Sequence, residues 1–291
     1  MRGKIIFRKT DFGISPNDFA PHDFAMPIVV SSPVRVHTQD EFHAVDRRVM
    51  AAAFDVHTEF GRFLDETIFK QLIARRCEAA GIAPVEREVG IRVSHGSFAK
   101  DYFLDFLFCS GVIFEAKAAD SLTSAHTAQT LNYLLLAGLR HASLVNMRPL
   151  SVQREFVSTK LTPDSRRRFR IVADRWQPLS GTCEQLRGVL QELLEDWGAF
   201  LEVNLYREAL LHFIRPHTAP THVDVLDGDC VVGRQPAHLI APDIALACTA
   251  FTERTEAMQT HLLRFLLHTP LRAVQWINFN RDTIALTTLT K

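Results

Sequence analysis

The chain has no excess of charge of either sign: 33 lysines and arginines balance 33 aspartates and glutamates over 291 residues. Binding to nucleic acid through bulk charge needs a basic surface that releases counterions from phosphate, so a zero balance argues against that mode and leaves room only for a local basic groove. Cysteines are few and scattered: Cys77, Cys109, Cys183, Cys230 and Cys248 form no C-x-x-C pair. An odd, widely spaced set argues against a disulfide framework or a zinc site and reads as free thiols in a reducing compartment, so a cytoplasmic location is expected. No hydrophobic run approaches the roughly 20 residues of a membrane span. The basic start, MRGKIIFRKTDF, has no long apolar segment of the secretory kind, so no membrane association is expected. The glycine loops that cradle nucleotide phosphates, G-x-x-x-x-G-K-[ST] and G-x-G-x-x-G, are missing, as is the G-x-S-x-G nucleophile turn. The remaining composition, 47% hydrophobic and 23% charged, is that of a globular protein.

The most informative stretch runs from Tyr102 to Tyr133. An apolar run carries a single acid, Asp105; the turn signal Cys109-Ser110-Gly111 follows; a second apolar run then carries Glu115 and Lys117. If residues 109–111 form a hairpin loop, Phe108 pairs with Val112, and continuation of that register sets Asp105 across from Glu115. Side chains opposite each other leave the same face of a sheet, and residues two apart on a strand also share a face. Two carboxylates and an ammonium are therefore expected to converge inside two apolar strands. Burying three charges is costly unless they pair or hold a cation, and two carboxylates beside a backbone carbonyl suit Mg²⁺ or Mn²⁺.

These residues resemble the core of the PD-(D/E)xK nuclease superfamily, in which an acid on one strand precedes an E-x-K on the next. Within it the likeness is closest to the small GxxExxY family. The matching segments are VHTEFGRFLDETIF at 56–69, VEREVGIRV at 85–93, LDFLF at 104–108, EAK at 115–117 and AQTLNYL at 128–134, within residues 40–158. The name motif is altered: Glu66 keeps the acid, while the glycine gives way to Phe63 and the tyrosine to Phe69. The resemblance implies a metal site formed by Glu66, Asp105 and Glu115, a Lys117 that positions or activates water, and a Gln129 that contacts the site or the substrate. It also implies Mg²⁺ (or Mn²⁺) as cofactor and nucleic acid as partner.

Periodicity supports an α/β (α+β) chain with an αβββαβ core. Thr38 and Glu41 form a capping-box pattern before an apolar helical stripe, and a second helix from about Leu64 ends at Gly81. Strands are expected at 85–93, 101–108, 112–118, 142–147 and 153–158, with a helix at 123–138. Gln129 and Tyr133, one turn apart, share a face of that helix. Residues 1–37, broken by Pro16, Pro21, Pro27 and Pro33, read as an arm with one strand between Pro27 and Val36. The core domain is placed at 38–159 and a linker at 160–180, whose arginine run is expected to be solvated.

Residues 181–291 read as a second copy. A shift of 132 matches Leu131, Leu134, Leu135, Leu139, Arg140 and Asn146 with Leu263, Leu266, Leu267, Leu271, Arg272 and Asn278. Setting Gly61 on Gly198 aligns GRFLDETIFK with GAFLEVNLYR. The charged residues are lost: Glu66 falls on Val203, Glu115 on Ala247, Lys117 on Thr249 and Gln129 on His261, with Asp105 near Ala237. The duplicated core is thus expected to hold metal in its first copy only. The loop bearing His217, His222, Asp224, Asp227 and Asp229 fits no metal motif and reads as a polar hairpin.

Two functions follow. One is metal-dependent hydrolysis of DNA or RNA phosphodiesters. The other is a non-catalytic module that keeps a nuclease fold to bind protein or nucleic acid, with a protein partner or a homodimer left open.

Overall fold

A computed structural model of the chain describes residues 26–215 and 221–291. The first 25 residues and His217 lie outside them. The chain begins with β1 (Ile28–Val30), α1 (Gln39–Phe60) and α2 (Glu66–Ala79), followed by the strands β2 (Val85–His95), β3 (Phe98–Phe108) and β4 (Val112–Lys117). After α3 (Ser124–Ala137) come β5 (His141–Asn146) and β6 (Gln153–Ser158). These strands make one six-stranded mixed sheet in the order β1-β2-β3-β4-β5-β6, with β4 and β5 parallel and the other pairs antiparallel. The αβββαβ order read from periodicity is therefore present.

Local chemistry explains the element ends. Thr38 accepts from the Glu41 amide while Glu41 accepts from the Thr38 amide, so two of the amide groups left over at the start of α1 are satisfied. Below the cap, Phe42, Val49, Ala52, Ala53 and Val56 form the buried stripe. They pack with Phe69, Ile73 and Cys77 of α2 against Phe106, Phe108, Phe114 and Val145 of the sheet. In the β3–β4 turn the left-handed residues are Cys109 (φ 51°) and Ser110 (φ 58°) rather than Gly111. Gly111 is needed for another reason: a Cβ there would stand 2.3 Å from the His37 ring and 2.5 Å from the Arg35 carbonyl.

The opposite face of the sheet is covered by α3 together with the rest of the chain. After α4 (Pro163–Arg166) and β7 (Arg170–Arg175), helices α5 (Gly181–Trp197) and α6 (Val203–Ile214) precede the hairpin β8 (His222–Asp227)–β9 (Cys230–Pro236). Then come β10 (Leu239–Ala241), β11 (Ile244–Thr249), α7 (Thr255–Leu267), β12 (Ala273–Asn280) and β13 (Thr283–Thr290). A second sheet has the order β10-β11-β12-β13-β7. Residues 160–180, expected to be a solvated linker, contribute its edge strand β7. Arg167 and Arg168 are exposed, but Arg166 is 3% exposed and donates to the Trp197 carbonyl.

One hydrophobic cluster joins the halves, running from Val89, Leu104 and Leu144 through Leu190, Trp197 and Tyr206 to Ile277 and Phe279. Polar contacts reinforce the seam. The Trp197 indole donates to the Ser94 carbonyl at 2.9 Å, and Glu202 accepts from the Tyr102 hydroxyl at 2.6 Å and from Lys100 at 3.0 Å.

One strand pair in each sheet has the same register. Lys117 pairs with Asn146 in parallel β4–β5, and Thr249 pairs with Asn278 in parallel β11–β12. Asn146 clamps Ala119 through both its amide and its carbonyl, and Asn278 clamps Phe251 in the same way. The offsets, 278 − 146 and 251 − 119, are both 132.

Candidate metal centre

Strand β3 does not keep one facing along its length. Phe98, Tyr102 and Leu104 lie in the cluster that joins the halves, whereas Phe106 and Phe108 pack toward α1 and α2. Strict alternation would put all of these even-numbered residues on one side. The change occurs at Asp105, and on the neighbouring strand Glu88 has φ 50° at the same level. A non-glycine residue in the left-handed region turns the strand locally, which lets Asp105 reach toward α2.

Backbone pairing of β3 with β4 runs from Phe108–Val112 to Phe106–Phe114, the register read from the turn signal. One residue further on, side chains take over the amides. The Asp105 amide donates to Glu115 Oε1 at 3.0 Å, and the Ala116 amide donates to Asp105 Oδ2 at 2.9 Å. The two carboxylates are therefore locked across the strands, with Asp105 7% and Glu115 1% exposed.

Lys117 closes this pair: its Nζ is 3.4 Å from Glu115 Oε2 and 3.9 Å from Asp105 Oδ2. Burial, and then the charge of Asp105, raise the Glu115 carboxyl to about 8 against the pull of Lys117. The carboxyl group is thus held near neutrality by its surroundings.

Glu66 joins less directly. It opens α2 and ion-pairs with Lys70 one helical turn later, at 2.9 Å. The same Lys70 ammonium donates to Asp105 Oδ1 and lies 4.0 Å from Glu88. Burial tends to lower Lys70, but Asp105 and Glu66 outweigh it and hold the ammonium charged. Asp105, Glu115 and Lys117 thus form one contact set, and Glu66 meets it through Lys70. Gln129 is exposed on α3 and donates to the Tyr133 hydroxyl at 2.9 Å. Burial and then the Glu115 charge raise that phenol to about 12.

Lys70 and Glu88 were missed in the sequence reading. Lys70 had a signal: Glu66 and Lys70 stand four apart on a helix, the spacing of an ion pair. Glu88 had none, because V-E-R-E on a strand reads as an ordinary exposed edge.

Carboxylate oxygens are the donors a hard divalent cation takes: Asp105 and Glu115 stand together, and Glu66 meets Asp105 through Lys70. A charged group already stands among them, since the Lys70 ammonium bridges Glu66 and Asp105. That bridge demonstrates that the two acids reach a common cation. Among the described residues no group of three His, Cys, Asp or Glu side chains is assembled as a ready metal cage. A cavity of about 510 Å³ lies elsewhere, lined by Ile28, Val30, Leu136, Arg166 and Trp197, and none of the five expected site residues lines it. The loop with His222 and Asp224 is a hairpin in which Arg234 pairs with Asp224.

The acid on β3, the E-A-K on β4 and the flanking helices are now placed. Residues 43–158 match the family model of the PD-(D/E)XK nuclease superfamily. The matched span covers α1 from His43 to the end of β6, and the mixed sheet flanked by helices agrees with the restriction-endonuclease-like fold of that superfamily. Comparison with curated proteins and with solved structures gave no match. Among the described residues no helix is long and apolar enough to cross a membrane.

Proposed function

We propose that the protein is a metal-dependent nuclease that hydrolyses phosphodiester bonds of DNA or RNA. The observation that carries this reading is the Asp105–Glu115–Lys117 lock, in which two buried carboxylates replace ladder hydrogen bonds in the middle of a sheet and an ammonium pairs with both. A sheet with no use for these groups is generally as stable, or more stable, with apolar residues there. Asp105 and Glu115 would hold Mg²⁺ or Mn²⁺, with Glu66 tied to Asp105 through Lys70. The bound ion would supply an acidified water and neutralise charge developing on phosphate. Lys117, fixed between both acids, would orient that water by donating to it. Gln129, exposed one turn from Tyr133, is suited to contact with substrate rather than metal.

The C-terminal unit is read as a duplicate without this chemistry. The support is the common offset of 132 in strand register and in the asparagine clamps. At the corresponding places stand Val203, the first residue of α6, and Ala247 and Thr249 of β11. Its role is to cover the open face of the catalytic sheet.

One observation favours the rival reading of a binding module: each acid of the lock is already satisfied by amides and lysines of the chain. Screening single- and double-stranded DNA and RNA with Mg²⁺, Mn²⁺ or EDTA separates the two. The nuclease reading expects cutting with metal alone that Asp105→Ala abolishes. Under the rival, no substrate is cut and Glu115→Ala leaves partner binding unchanged.

A further inference from the structure

We infer that Lys70 serves as a built-in second cation of the acid cluster, so that the centre takes one divalent ion per chain rather than two. The inference rests on the metal-dependent reading above and decides the ion count, which the donor set alone leaves at one or two. Two-ion phosphodiesterase centres hold their metals about 3.5–4 Å apart, so two ions in so small a cluster would share an acid. The bridging candidate here is Asp105, the acid central to the cluster, and its two oxygens are treated differently. Oδ2 accepts the Ala116 amide and faces Lys117, on the side of Glu115. Oδ1 accepts from Lys70, on the side of Glu66. An ion bridging Glu66 and Asp105 would therefore need the place held by the Lys70 ammonium.

Lys70 is poorly placed to leave. It is carried on the same helix as Glu66, one turn away, and its side chain is only 16% exposed. Withdrawing it would bury the carboxylate of Asp105, itself 9% exposed, without that partner. Charge balance points the same way. With Glu115 ionised, as a metal ligand must be, Glu66, Asp105 and Glu115 against Lys70 and Lys117 leave one negative charge; a single divalent ion overshoots this by one, and a second ion overshoots it by three. Like charges a few ångströms apart in a half-buried site repel strongly. Lys70 is thus a positioning residue: it holds Glu66 and Asp105 in register and leaves the Asp105–Glu115 side for the metal.

The test is calorimetric titration of Mn²⁺ onto the full chain, its Lys70→Met variant and its Lys70→Arg variant, each with a melting curve in EDTA. Lys70→Gln replaces the methionine variant if that protein melts early. The expected stoichiometry is one ion for wild type, one for Lys70→Arg, which keeps the charge, and two for the uncharged variant. The uncharged variant should also melt lower in EDTA and regain stability with Mn²⁺. Two ions on the wild-type chain, or one on the uncharged variant at any affinity, would overturn the inference and leave the nuclease reading standing. No ion on the wild-type chain would overturn both.

Discussion

At the scale of single residues, the buried polar groups that no chemistry uses report on stability. Asp46 is 2% exposed and accepts from Ser143 Oγ and from Arg154 Nη2, both at 2.5 Å. Asp46→Ala leaves the fully buried Ser143 hydroxyl to Arg154 alone, while Arg154, about a third exposed, can turn to water. The expected loss is about 1–3 kcal/mol in denaturant unfolding, and under the proposed function metal-dependent cutting per folded molecule is unchanged. His141 gives a pH signature. Its ring packs between Phe42 and Phe156, and burial first, then His43 and Arg140, lowers its pKa. A base lowered in the folded state stays neutral there while the unfolded chain takes up a proton, so stability is full above the ordinary histidine value and falls with pH below it. Melting temperatures of wild type and His141→Phe should therefore diverge between about pH 8 and about pH 5, with wild type losing more. At this scale Asp105, Glu115 and Lys117 were legible because charged residues inside apolar strands stand out. Lys70 was not, because a lysine on an amphipathic helix looks like solvated surface whether or not an acid from another element meets it.

At the scale of elements, the β3–β4 hairpin carries the site. Its register could be read from the turn residues, because a short loop leaves few ways to pair the strands. The backbone of the turn was not legible: Cys109 and Ser110 are left-handed, and Gly111 makes room for His37. Contacts made by a segment 72 residues away cannot be seen in a local pattern; His37 Nε2 donates to the Cys109 carbonyl at 3.1 Å only once the chain is folded. Gly111→Ala should consequently cost about 1–3 kcal/mol, because an added Cβ meets both a ring and a backbone carbonyl. A chemical denaturation curve would check it, and an unchanged midpoint would show that the His37 segment yields freely. The reversal of facing at Asp105 was also hidden, since it depends on the left-handed Glu88 of the neighbouring strand.

At the scale of the whole molecule, the periodicity of both halves was legible, but their union was not. Tandem copies suggest two separately folding domains with a linker, yet one cluster runs through both and residues 170–175 complete the second sheet. Trp197, 1% exposed, packs at the end of α5 and donates its indole to Ser94 of the first sheet. Equilibrium unfolding followed by tryptophan fluorescence and by circular dichroism should therefore give coincident single transitions. Trp197→Ala should lower the midpoint of both, at a cost of about 3–5 kcal/mol. Two separated transitions would mean that the halves are independent. The most direct test of the central claim compares wild type and Lys117→Ala for Mn²⁺-dependent cutting of nucleic acid at equal melting temperature. The account expects cutting by wild type and a loss of roughly 10²-fold or more in the variant. Absence of cutting by wild type on DNA and RNA, or equal rates for the two proteins, would contradict it.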